Sequence, residues 1–180
     1  MNKKGITLIE MVTVIVVLAV SIPILLTTWA DIAWRSSRSE VLADAAFYAQ
    51  ELMEEIKTRR YDEMTVSPWT SAANFGSEAG ENRNNKNTFD DIDDFVTSGP
   101  ASCTDPSVLT PAGGYTRSVS VDYVRLNLST WESCGSLLAC GAATTCTGCN
   151  ECCYKRITVT VSRTDNLVRN VNLVTIMSAH

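Results

Sequence analysis

From Met11 to Ala30 the chain carries no charged side chain. A helix of about 20 residues rises about 30 Å, the thickness of a bilayer's hydrocarbon core. Pro23 lies inside this run and removes one helical hydrogen bond, so a kink or a locally opened turn is expected there. Beyond Ala30 the pattern becomes amphipathic. Leu42, Ala45, Ala46, Ala49, Leu52, Met53 and Ile56 recur at three- and four-residue spacing, with Asp44, Glu51, Glu54, Glu55 and Lys57 between them. Ser36, Ser39 and Glu40 mark a polar join between the two halves. The spacing predicts one helix from about Ile6 to about Arg60. Its apolar stripe suits packing on a globular head, or pairing with a partner helix, although about two heptads make a short coiled coil.

The segment from Ser67 to Pro111 is rich in Ser, Asn, Gly, Asp and Pro and reads as a long irregular region. After Gly113-Gly114 the period changes to two. Tyr115, Val119, Val121 and Tyr123 share one face of a strand, and Ile157, Val159 and Val161 share one face of another from Tyr154 to Ser162. Arg163 to Asn166 reads as a turn, and Leu167 to Met177 as the strand that completes a hairpin. The predicted fold class is α+β: one long N-terminal helix packed on a small antiparallel sheet.

Composition narrows the function. The chain of 180 residues has a net charge of −5, and its basic residues form no cluster with interleaved aromatics, which argues against nucleic-acid binding. The sole histidine is the terminal His180, and no Gly-x-Ser-x-Gly is present, so neither a histidine-based catalytic site nor an anchored hydrolase has residues to stand on. An enzyme is not expected. Mean hydropathy is +0.02, so the apolar block is a local feature of an otherwise ordinary globular composition.

Lys3 and Lys4 precede the apolar run and are expected to hold the N-terminus in the cytoplasm. The run is longer than a secretory h-region, and no small-x-small cleavage site follows it. Glu10 does not suit a plain anchor, because a carboxylate inside hydrocarbon costs roughly 2.5–3.5 kcal/mol at the centre of a span and less at its edge.

The run Lys3-Lys-Gly-Ile-Thr-Leu-Ile-Glu10 resembles the cleavage and methylation motif of type IV prepilins and type II secretion pseudopilins. The resemblance implies cleavage after Gly5 by prepilin peptidase and N-methylation of the new terminus, Ile6. It also implies that Glu10 neutralises the terminal ammonium of a neighbouring subunit. The family usually has Phe where Ile6 stands, a mild departure at a position that has to be apolar. Phe47 to Ile56 is similar to the equivalent stretch of minor pilins and pseudopilins. Three head segments, Phe89–Phe95, Gly114–Val121 and Tyr154–Val161, are similar in order to a minor pilin-like subunit of the mannose-sensitive haemagglutinin pilus system. The implied organisation is a leader at 1–5, a membrane half of the helix at 6–30, an amphipathic half at 31–60 and a head at 61–180. The implied partners are other pilin subunits, prepilin peptidase, the inner-membrane assembly platform and the membrane itself. The chain is then a single-pass inner-membrane protein with a periplasmic head, later part of an extracellular or periplasmic filament. A type II secretion pseudopilin shares the same leader chemistry.

Seven cysteines follow the apolar run: Cys103, Cys134, Cys140, Cys146, Cys149, Cys152 and Cys153. Outside the inner membrane, disulfides are the expected state, tying an insert at 134–153 that has little with which to form a core. That insert is a departure from the family's general pattern. Cys146-x-x-Cys149-x-x-Cys152 also has the spacing of zinc ligands, which keeps a membrane-anchored metal or redox module as the alternative. The adjacent Cys153 does not match the iron–sulfur spacing. An odd count leaves at least one thiol free, metal-bound or joined to another chain. No cofactor is required, but Asp90, Asp91, Asp93 and Asp94 could chelate calcium through hard oxygen ligands, as some pseudopilin heads do. Their spacing is not that of an EF-hand, and a solvated acidic loop with Phe89, Ile92 and Phe95 turned inward is the commoner arrangement.

Overall fold

The structure is a computed structural model that describes residues 7–64, 69–99, 103–111, 113–134, 154–165 and 169–178. The chain divides into two compact units, Met1–Val41 and Leu42–His180. One helix, α1 (Leu8–Lys57), supplies the described part of the first unit and opens the second.

In the first unit the helix is bare. Leu8, Ile15, Val20, Leu25, Trp29 and Ile32 are among the large apolar side chains left exposed. The described segment has an 18-residue window with a mean hydropathy of 2.6, none of it buried, so α1 is long and apolar enough to cross a membrane. Its hydroxyl groups need no water. Thr13 donates to the Ile9 carbonyl at 2.7 Å and Thr28 to the Leu25 carbonyl at 2.9 Å, the local bonds that let such residues sit in an apolar helix. Pro23 cannot donate to the carbonyl one turn back, yet the segment stays helical through it.

In the second unit, β1 (Tyr115–Asn127), β2 (Thr130–Ser133), β3 (Tyr154–Arg163) and β4 (Val171–Ser178) form one antiparallel sheet in the order β2-β1-β3-β4. Val119 lies opposite Val159 and Val121 opposite Ile157, so the two inward sets meet in register across the central pair. These residues are buried with Ala45, Ala49, Leu52, Met53 and Ile56 of α1 and with Phe75, Phe89, Ile92, Phe95 and Leu109 of the connecting region. Burying each large aliphatic or aromatic side chain of this set is worth about 1.5–3 kcal/mol. The Tyr48 and Tyr115 rings, 5.0 Å apart, join the helix to β1.

Several details depart from the sequence reading. The helix stops at Lys57, earlier than Arg60, where Thr58 and Arg59 donate to carbonyls three residues back and tighten the last turn. Leu42 and Ala46 of the apolar stripe are exposed. β1 continues beyond Val124 to pair with β2, a strand too short and too exposed to show an alternation in sequence. β4 begins at Val171 rather than Leu167, and residues 166–168 lie outside the described set. The irregular region contains a four-residue helix, α2 (Pro106–Leu109), started by Pro106 and capped by Asp105, whose carboxylate accepts from the Ser107 amide at 2.9 Å.

The β1–β2 turn holds Leu128 at φ 55°, in the left-handed region, with its side chain 97% exposed. Leucine has no local hydrogen bond with which to offset that conformation, whereas asparagine tolerates it. Leu128→Asn is expected to raise unfolding stability by about 0.5–1 kcal/mol. A shift of the urea midpoint at unchanged slope would show it, and an unmoved or lower midpoint would contradict it.

Candidate functional site

Charge sits in apolar or buried surroundings at the start of α1 and in a knot of carboxylates in the head. At the first, Gly5 and Ile6 lie outside the described residues. Thr7 immediately precedes the helix, and its carbonyl accepts from the Glu10 amide at 3.0 Å and the Met11 amide at 3.2 Å. Glu10 is exposed and sits in the first turn, where the positive end of the helix dipole favours a carboxylate. Thr7-x-x-Glu10 has the spacing of a capping box, a signal readable in the sequence that offers Glu10 an ordinary structural role as well.

The knot is built from the chain just after α1 and from the Asp-rich segment. Arg60 and Asp91 form a short parallel bridge, with the Arg60 amide donating to the Asp90 carbonyl at 3.2 Å and the Ile92 amide to the Arg60 carbonyl at 3.1 Å. The next turn, Asp93–Phe95, is 3₁₀. Asp91, Asp93 and Asp94 are fully buried, which corrects the expectation of a solvated acidic loop; Asp90 alone of the four stays exposed, paired with Arg60. Phe89, Ile92 and Phe95 do turn inward.

The reason for the burial is a set of partners that linear distance concealed. Lys155, on the inward face of β3, is fully buried. Its Nζ donates to Asp93 Oδ1 at 2.7 Å, Asp62 Oδ2 at 3.0 Å and the Tyr61 carbonyl at 2.6 Å. The rings of Tyr61, Phe75 and Tyr123 surround it at 4.7, 5.2 and 5.7 Å. Asp62 also accepts from the Thr70 amide and hydroxyl. Asp91 Oδ1 accepts from the Asp93 amide at 2.9 Å, and its Oδ2 from the Glu63 amide at 2.9 Å. Asp94 Oδ2 accepts from the Asp90 and Asp91 amides at 2.8 and 3.1 Å. The aspartates thus satisfy the backbone of their own turn.

Of the four aspartates that the sequence nominates for calcium, Asp94 is the one that falls, among the described residues, in a group of three acidic side chains close enough to share an ion. One oxygen each from Glu78, Glu81 and Asp94 lies within 4.8 Å of the others. Burial pushes the Glu78 carboxyl up to about 9, with Asp93, Asp91, Glu63 and Asp94 adding to the rise. Burial likewise pushes Asp94 up to about 7, together with the neighbouring Glu81. Asp93 rises to about 7 and Asp91 to about 6 for the same reason, although Lys155 pulls both down.

Sequence reasoning missed Asp62, Glu78, Glu81, Lys155 and a second inward cation, Arg117. Arg117 is buried on β1, hydrogen-bonds Glu51 of α1 and stacks over Tyr48 at 5.3 Å. A signal for both cations was present: each has the odd parity of the apolar residues on its own strand.

Among the cysteines, Cys103 is a free thiol whose pKa is raised by burial, and Cys134 is disulfide-bonded. Cys140, Cys146, Cys149, Cys152 and Cys153 lie outside the described residues. No protein-family model, curated protein or solved structure matches the chain.

Proposed function

We propose that the chain is a minor subunit of a type IV pilin-like filament, most similar to the D protein of the mannose-sensitive haemagglutinin pilus system. Its function in this reading is assembly rather than catalysis. The observation that supports it best is the apolar half of α1, uncovered along its length and headed by Glu10 within Lys3-Lys-Gly-Ile-Thr-Leu-Ile-Glu10. Such a surface is unfavourable in water and suits first a bilayer and then a bundle of like helices. Prepilin peptidase cuts after Gly5 on the cytoplasmic side, and Ile6 becomes the methylated terminus. The head remains periplasmic while the helix is stored in the inner membrane. On extraction by the assembly platform, Glu10 pairs with the terminal ammonium of a neighbouring subunit. The pair matters because an uncompensated charge buried among apolar helices costs several kcal/mol.

Intact mass spectrometry of the protein from its native membrane tests the processing. The expected species lacks Met1–Gly5 and carries one added methyl group. An uncut N-terminus, or a cut after Ala30, overturns the reading. A second measurement separates assembly from helix capping. Glu10→Val is expected to be cleaved normally but to enter filaments at least roughly tenfold less often. Normal incorporation would leave Glu10 with the capping role alone. Recovery of the chain from sheared surface pili, rather than from a secretion pseudopilus, distinguishes the two filament systems.

A further inference from the structure

The three carboxylates of Glu78, Glu81 and Asp94 take no part in the filament reading, and one oxygen from each lies within 4.8 Å of the others. Glu78 and Glu81 close a tight turn in which the Glu81 amide donates to the Glu78 carbonyl at 3.2 Å. Gly80, inside the turn, has φ +113°, a conformation that favours glycine. Glu81 Oε2 accepts from the Glu78 amide at 3.1 Å, which fixes one carboxylate over the turn. Asp94 comes from the Asp93–Phe95 turn and is fully buried. Its Oδ2 accepts two backbone N–H groups, whereas its Oδ1 is buried and reached by no donor among the described residues. Glu78 Oε2 is buried and unpartnered in the same way. A buried carboxylate oxygen without a partner costs more than an ordinary lost hydrogen bond, so each of the two calls for a proton or a cation.

Carboxylates outnumber the buried base here. Asp62, Asp91, Asp93, Asp94, Glu78 and Glu81 lie in or beside the knot, and Lys155 is the fully buried base among them, held by Asp62 and Asp93. The distances also fit one ion. Two ligands on opposite sides of a calcium ion are about 4.8 Å apart, twice a bond of about 2.4 Å, and none of the three oxygens is farther than 4.8 Å from another. The donors are all carboxylate oxygens, which suit a hard cation rather than zinc. Glu78 and Glu81 are only half-buried, leaving an open side from which water can complete the six to eight ligands calcium takes.

We propose that Glu78, Glu81 and Asp94 bind one calcium ion that ties the Glu78–Glu81 turn to the Asp-rich turn. The ion occupies the side of Asp94 not used by the backbone. This assignment is independent of the filament reading, because it rests on the head alone.

Thermal unfolding of the full chain in detergent, followed by tryptophan fluorescence at pH 8, tests the site. Calcium is titrated from a chelator-treated sample through about 10⁻⁴–10⁻³ M, the affinity range of extracellular calcium modules. The expected result is a saturable rise in melting temperature on the order of 10 °C once calcium is well above its dissociation constant. Isothermal titration is expected to give one calcium per chain. The double variant Glu78→Gln, Glu81→Gln is expected to lose the rise while melting, without calcium, no lower than the unsubstituted chain, since it also loses like-charge repulsion. That baseline separates loss of the site from misfolding. A melting temperature indifferent to calcium shows that the carboxylates are satisfied by protons alone and overturns the proposal. A full calcium response in the double variant overturns the assignment of residues, and an equal response to magnesium overturns the choice of ion.

Discussion

Lys155→Met is expected to destabilise the folded head by about 3–5 kcal/mol, the cost of removing one partner from a buried ion pair. Methionine fills the space left by the butyl stem but carries no charge. Asp62 and Asp93 are then left facing each other within an aromatic enclosure from which water is excluded. The Tyr61 carbonyl also loses its 2.6 Å donor. The Asp93 carboxyl, already raised to about 7, relieves part of the cost by taking a proton, so the loss is smaller at pH 5 than at pH 8. Adding Asp93→Asn to the variant removes one of the stranded charges and is expected to restore part of the stability. Urea unfolding followed by the fluorescence of Trp69, whose ring stands 5.4 Å from that of Tyr61, reads the change directly. A loss below about 1 kcal/mol, typical of a surface pair, would show that the lysine does not organise the knot.

Stability of the calcium-free head is expected to fall as pH rises from about 5 to about 9. Glu78 is raised to about 9, Asp93 and Asp94 to about 7 and Asp91 to about 6, all chiefly by burial. In the unfolded chain the same groups titrate near their ordinary values of 4.5 and 3.8. Between those values and the folded ones, the native state holds more protons than the unfolded state. The slope of unfolding free energy against pH is therefore negative throughout that window. The groups facing the site are Asp62, Glu63, Asp91, Asp93 and Glu81 on the acidic side and Lys155 on the basic side. Each unit of pKa difference is worth about 1.4 kcal/mol for an isolated group, and because these groups are partly open to solvent and share protons the whole fall is on the order of a few kcal/mol. Denaturation in chelator at pH 5, 7 and 9 measures it. Stability that rises over this range would mean the carboxylates are ionised in the folded head at no cost.

The α+β layout was legible because its elements have clean periods. The 3.6-residue stripe of Leu52, Met53 and Ile56 and the two-residue alternations of Val119-Val121 and Ile157-Val159-Val161 each name their buried face, and all of them are in the core. Where the period is short or blurred, legibility failed. β2 has four residues with no buried face to mark it, and the last turn of α1 tightens at Thr58 and Arg59 on hydrogen-bond geometry that no composition reveals. Leu42 and Ala46 continued the stripe by spacing yet remain exposed.

The acidic segment shows the same division more sharply. Inward Phe89, Ile92 and Phe95 followed from their spacing, but four aspartates between and beside them read as solvated, because a charge run usually is. Their burial depends on Lys155, more than sixty residues away in the chain, with register partner Tyr123 on β1 and ring neighbours from three separate segments. What the sequence by itself determined is local: a charge-free helical run headed by Glu10, an amphipathic continuation, and which parity of β1 and β3 faces inward. What only the tertiary structure decided is which charges meet. Ion pairing and desolvation are set by distances in space, so Asp62, Asp93 and Lys155 become one group, and Glu78, Glu81 and Asp94 another, only once the head has folded.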